Sequence, residues 1–182
     1  MNGGKLLLGL GIAGAAGYLI YKLVGKANEA DIMLNNLEFS VAPSKPSFSG
    51  ISTINIPVNV EIFNPSKLEV SFEKPLVYIK YVMDNGQVAT IAHSTPSSDK
   101  VTIKAMGVSS INDIVLPINI LSNLSVFSEI GKKLFGGMSD QAGLVAKFQS
   151  ISGNLTALLP LLQVQIITRI GDLAIDKTFA LG

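Results

Sequence analysis

From Thr53 to Phe63 the chain alternates without a slip, with Ile54, Ile56, Val58, Val60 and Ile62 set against Asn55, Pro57, Asn59 and Glu61. A period of two places one face of an extended strand on a core and the other toward water. Pro57 has no amide hydrogen, which suits an edge strand or a position turned away from the ladder. Asn64-Pro65-Ser66 interrupts the alternation, which resumes at Leu68, Val70 and Phe72 and would set Val60, Ile62, Leu68 and Val70 in the core. Upstream, Leu37, Phe39 and Val41 follow Ile32 and Leu34 one residue out of phase, so Asn35-Asn36 predicts a bulge or bend. Pro43 to Gly50 is loop by composition. "PLVYIKYVM", "DNGQ" and "VATIAH" predict a hairpin turning on Asn85-Gly86. Lys100 to Val108 and Ile111 to Ile120 supply two further strands, the second alternating at Ile114, Leu116, Ile118 and Ile120. The chain closes on "LQVQIITRIGDLAIDKTFAL", a long strand or a pair broken near Gly171-Asp172. Seven or eight short strands predict a mainly β fold, an antiparallel two-sheet β-sandwich.

Two segments depart from this period. Between about residues 121 and 162 the pattern becomes helical. Ser122, Ser125, Glu129, Lys132 and Lys133 share one face of a first helix, and Leu121, Leu124, Phe127, Ile130 and Leu134 cover the other, with Gly136-Gly137 at its end. Ser139 would cap a second helix carrying Leu144, Val145, Phe148 and Ile151 on one side. These helices either lie over an open end of the β domain or offer Leu124, Phe127, Ile130 and Leu134 as an interaction face for lipid or protein.

The other departure is the N-terminus. Leu6 to Tyr21 carries no charge, and only Lys22 interrupts the run to Val24. At about 1.5 Å per residue this length just crosses a hydrocarbon layer of roughly 30 Å. Residues 1–26 therefore form a separate unit, an N-terminal transmembrane anchor, ahead of a β domain over residues 27–182. Lys22 lies where its stem can follow apolar surface while the ammonium reaches headgroups, and Tyr18 and Tyr21 suit the interface. Gly9, Ala13 and Gly17 fall four apart on one face, a spacing that lets membrane helices approach closely. Ala13-Gly14-Ala15 also fits a signal-peptide cleavage site, and a buried soluble helix is a third reading. Lysines flank the run on both sides, so orientation is open.

Composition narrows the chemistry. With 14 basic and 13 acidic side chains in 182 residues, there is no concentrated basic face and no nucleic-acid partner is expected. The chain has no cysteine, which removes disulfides, thiol nucleophiles and thiolate metal sites. His93 is the single histidine, near a strand end, with no partners at metal or triad spacing. No glycine-rich phosphate loop or nucleophile elbow is present. No catalytic, cofactor or metal site is expected. Asn123 and Asn154 match glycosylation sequons.

The stretch "VNVEIFNPSKLEVSF", with its Asn64-Pro65 turn between alternating strands, resembles the late embryogenesis abundant proteins of the second type, also called the water-stress and hypersensitive-response domain. "LVYIKYVMDNGQVATIAHS", "VTIKAMGV", "DIVLPINIL" and "QIITRIGDLAI" are similar to the strands that follow, so the resemblance covers roughly residues 31–120 and 163–181. It implies a seven-stranded sandwich of the fibronectin or immunoglobulin general type, often membrane-tethered and without enzymatic activity. The expected function is a non-enzymatic structural or binding module held at a membrane, with a lipid bilayer, protein partners or a second copy as its contacts. A minor structural protein of a membrane-containing virus particle and a carrier of an apolar ligand are the alternatives. Asn64 and Pro65 are explained by turn geometry alone.

Overall fold

A computed structural model describes residues 36–136, 141–170 and 173–181. The candidate anchor with Gly9, Ala13 and Gly17, the bend at Asn35, and the Ser139 cap lie outside them. Among the described residues the fold is mainly β, with ten strands rather than seven or eight and a few helices. The strands are β1 (Glu38–Pro43), β2 (Ser47–Ser49), β3 (Thr53–Asn64), β4 (Val70–Glu73), β5 (Leu76–Val82), β6 (Val88–His93), β7 (Lys100–Ile103), β8 (Gly107–Asn119), β9 (Leu162–Ile170) and β10 (Leu173–Ala180). Helix α1 is Leu124–Phe135 and α2 is Gln141–Ser150, with 3-10 segments at Leu121–Asn123 and Ser152–Leu161.

β3 is the axis of one four-stranded antiparallel sheet. β1 and β2 share one of its edges end to end, and β8 takes the other along its whole length. A second antiparallel sheet runs β10-β9-β5-β6, and β4 and β7 form a two-stranded ribbon. Ile54, Ile56, Val58, Val60 and Ile62 of β3 are closed to solvent, as are Val77 and Ile79 of β5 and Val164 and Ile166 of β9. All belong to one continuous core.

Pro57 therefore lies in a central strand, not at an edge. In a β-strand the N and O of one residue point the same way. The Pro57 carbonyl accepts from Ser44 N (2.8 Å), so its missing N–H faces the gap where β1 hands over to β2. The β8 ladder on the other side is untouched. The Pro43–Gly50 loop contains β2, a short strand filling that edge.

Two bulges reconcile the sequence pattern with the pairing. Val58 faces Ile114 and Val60 faces Ile111, so β8 has one residue more than β3 across this step. The surplus is absorbed at Asp113, which has φ of 58° and whose amide donates to Asn59 Oδ1 (3.0 Å). The bulge lets Ile111 and Ile114, three residues apart, both face the core. Ile91 is the extra residue in β6, which leaves Ile91 and Ala92 buried in succession.

The expected strand over Lys100–Val108 is instead two strands and the turn between them. β7 ends at Ile103, and β8 begins at Gly107, well ahead of the expected Ile111. Leu68 also departs from expectation: it is 37% exposed, because β4 starts only at Val70 and Leu68 belongs to the preceding turn. The hairpin on Asn85-Gly86 joins β5 and β6 as its sequence implies, with Gly86 at φ 82° and Gln87 N donating to Asn85 Oδ1 (2.9 Å).

Ile56 faces Leu116 across the β3–β8 ladder, and both are fully buried. Truncation there leaves a hole that surrounding strands cannot close. Ile56→Ala is expected to destabilise the protein by about 2–5 kcal/mol in chemical denaturation, with the slope against denaturant unchanged.

Candidate functional site

Asn64 ends β3 and is fully buried. As the residue before a proline it is held in extended conformation, which suits a strand terminus. Its Oδ1 accepts from Ser66 N (3.0 Å) and Ser66 Oγ (2.7 Å). Its Nδ2 donates to the carbonyls of Leu68 (2.7 Å) and Lys104 (3.2 Å). The first three bonds form the local turn that an Asn-Pro pair predicts. The fourth reaches the β7–β8 turn, forty positions away. Met106 N donates back to Ser66 O (2.9 Å), so the turns at 65–69 and 104–106 run side by side.

These turns make one end of the β3 sheet, here called the tip. Met106, at φ 50°, is 62% exposed, Val108 is 61% exposed, and Leu68 lies beside them. A left-handed backbone favours Gly or Asn, and a solvent-facing turn favours polar groups. Methionine at this position satisfies neither preference. Val108 pairs with half-buried Phe63, which pairs on its other side with Glu38. Lys67 and Lys104 are exposed at the same tip.

A second polar cluster lies where α1 meets the β5–β6 hairpin. Glu129 Oε1 accepts from Tyr81 Oη (2.8 Å) and from Asp84 N (2.7 Å). Lys133 Nζ donates to Tyr81 Oη (2.8 Å), pairs with Asp84 Oδ1 (2.8 Å), and stands 5.1 Å from the centre of the Tyr81 ring. Burial raises the Tyr81 phenol above its ordinary pKa, an effect opposed by its hydrogen bond from Lys133. The bond from Lys133 holds the Asp84 carboxyl below the usual range, and Asp84, then Tyr81, raise the Lys133 ammonium. At neutral pH these three groups are thus locked as phenol, carboxylate and ammonium. The same bonds tie α1 to the β5–β6 hairpin, so the cluster acts as a clamp between helix and hairpin. The i, i+4 spacing of Glu129 and Lys133 was visible in the sequence. Their hairpin partners were not, being some fifty positions away.

The face expected on α1 for a partner turns inward. Phe127 and Ile130 are closed to solvent, and Leu124 and Leu134 pack partly buried against the core. Phe127 and Phe135 each meet Phe148 of α2 edge-on, with ring centres 5.2 Å apart. The helices close over the β domain with these residues, so the four do not present a free surface. Leu121 precedes α1 and is 47% exposed, outside the apolar face assigned to it.

His93 is exposed at the end of β6, its Nδ1 within 3.0 Å of Ser94 O. Asn123 uses its amide nitrogen on Asn119 O (2.8 Å) and Ile91 O (3.3 Å), a poor disposition for a glycosylation acceptor. Among the described residues no group of three or more acidic, histidine or cysteine side chains is placed to hold a metal, and no helix is long and apolar enough to cross a membrane.

No protein-family model and no curated protein matches the chain. Among solved structures it is similar to a protein from Archaeoglobus fulgidus, at 15% identity over 79% of this chain and 91% of that one, with a TM-score of 0.40. It is also similar to a β-glucosidase from Listeria innocua in complex with gluconolactone, at 12% identity over 81% of this chain and 16% of that one (TM-score 0.27). A third likeness is to the solution structure of a candidate late embryogenesis abundant protein, at 13% identity over 88% and 80% of the two chains (TM-score 0.31).

Asn64→Asp keeps the shape of the corner but removes both donated bonds and sets a carboxyl against two carbonyl oxygens. A loss of about 3 kcal/mol or more is expected in denaturant titration.

The clamp sets a pH dependence with two arms. Asp84 has a lowered folded pKa, so its contribution is present above the unfolded carboxylate value of about 3.9 and is lost as pH falls through the folded one. Lys133 and Tyr81 have raised values, so their contribution is complete below about pH 10 and is lost as pH climbs through the folded values. Melting temperature measured against pH should show the acid arm weakened in Asp84→Asn and the alkaline arm weakened in Lys133→Met.

Proposed function

We propose that the chain is a non-enzymatic, membrane-anchored module that holds a β-sandwich at a bilayer surface. The observation that carries this reading is the uncharged run from Leu6 to Tyr21, extended to Val24 past Lys22, ahead of a β domain. A stretch of this length and apolarity is stable across a bilayer, because a helix satisfies its own backbone groups there. Two four-stranded antiparallel sheets that send alternate residues into one core support a sandwich of the immunoglobulin or fibronectin general type. The Asn64-Pro65 turn and the strand order around it support kinship with the late embryogenesis abundant proteins of the second type.

The polar groups of the domain support a structural role. Asn64 is engaged in turn bonds, and Tyr81, Asp84, Glu129 and Lys133 hold a helix on a hairpin. Such a domain acts by where it is held and by the surface it presents.

The anchor is tested by carbonate extraction of membranes from cells expressing the full chain. The protein should stay with the membrane and should move to the soluble fraction when residues 1–26 are deleted. A full-length chain released by carbonate would overturn the reading.

A further inference from the structure

The geometry points to a second membrane contact: the tip formed by Leu68, Met106 and Val108, with Lys67 and Lys104 beside them, sits in the headgroup–acyl boundary of the same bilayer that takes the anchor. This inference rests on the anchor reading above.

Three observations carry it. The first is where the chain enters. β1 begins at Glu38, paired with Phe63, whose other neighbour is Val108. The segment carrying the Leu6–Val24 run therefore joins the domain at the tip. Helices pack against the opposite end of the β3 sheet, where Ile51 and Leu121 remain exposed. β8 runs from Gly107 to Asn119, about 40 Å of strand, before the chain turns into the helical region at Leu121. Gln149 of α2 reaches the Ile51 carbonyl there (2.8 Å).

The second observation is the chemistry of the tip. Met106 and Val108 are among the most exposed large apolar side chains of the described residues, and they share one end with Leu68. A turn requiring positive φ at Met106 would be served better by Asn or Gly, and solubility would also favour a polar residue. Folding thus gives no reason for methionine there, whereas insertion among lipid chains does. The third is the placement of charge. Lys67 and Lys104 can run their stems along the inserted side chains and keep their ammonium groups among the headgroups. Glu38 and Glu69 are exposed at the same end, so net charge attraction is weak and apolar insertion provides the contact.

The absence of cysteine allows a single reporter to be placed cleanly. Met106→Cys in the full chain, labelled with an environment-sensitive fluorophore, would be reconstituted into phosphatidylcholine–phosphatidylserine vesicles with and without doxyl-labelled acyl chains. The expected result is blue-shifted emission quenched by the doxyl lipid, with Val108→Cys behaving alike. The same label on Ile51→Cys, exposed at the far end, should show neither effect. Val108→Asp introduced beside the Met106 label should abolish both the shift and the quenching while the protein stays carbonate-resistant.

A carbonate-resistant protein whose label at residue 106 or 108 remains in water would overturn the tip contact and leave the anchor standing. A blue shift without lipid quenching would mark a protein neighbour, such as a second copy, and would also overturn it. Release of the protein by carbonate would overturn the anchor, and the tip contact with it.

Discussion

The buried amide of Asn64 ties together three stretches of chain that the β3–β8 and β4–β7 ladders bring to one end. It closes the turn after β3, fixes the carbonyl of Leu68 ahead of β4, and takes the carbonyl of Lys104 from the β7–β8 turn. A buried polar side chain stabilises a fold only when its hydrogen-bonding capacity is met, and here both the oxygen and the nitrogen are engaged. Aspartate, leucine or serine would leave at least one of these carbonyls unpaired. The side-by-side turns at the tip are tied together by this residue and by the bond from Met106 N to the Ser66 carbonyl.

From that corner the domain extends in two directions with different physics. Along β3 and β8 stability comes from apolar burial, with every second residue of β3 closed to solvent and bulges adjusting the count where the partner has a residue too many. At the far end it comes from helices laid over the sheets. Phe127, Phe135 and Phe148 pack edge to face, and the Tyr81–Glu129–Lys133–Asp84 clamp keeps α1 on the hairpin. Within the clamp the bond between Lys133 and Asp84 favours the ammonium and the carboxylate.

The two ends also differ in what they leave exposed. The helical end buries Phe127 and Ile130 but leaves Ile51 and Leu121 exposed. The tip leaves Leu68, Met106 and Val108 uncovered, next to the strand at which the chain enters.

What the sequence alone determined is what depends on neighbours two to four residues apart. The β3 alternation, the Asn85-Gly86 hairpin, the local turn at Asn64 and the helical character of 124–135 and 141–150 are all written in short-range periodicity and turn chemistry. Tertiary structure decided whatever required a partner far along the chain. Pro57 could occupy a central strand only because two different strands meet beside it. Leu68 falls in the turn ahead of β4, where Asn64 takes its carbonyl, and a run that reads as one strand at 100–108 turns at 104–106, where Met106 N meets the Ser66 carbonyl. The helix face at Leu124, Phe127, Ile130 and Leu134 is equally apolar whether it meets a partner or its own sheets. Amphipathicity reports that a face must be buried, and only the packing of the whole chain says against what.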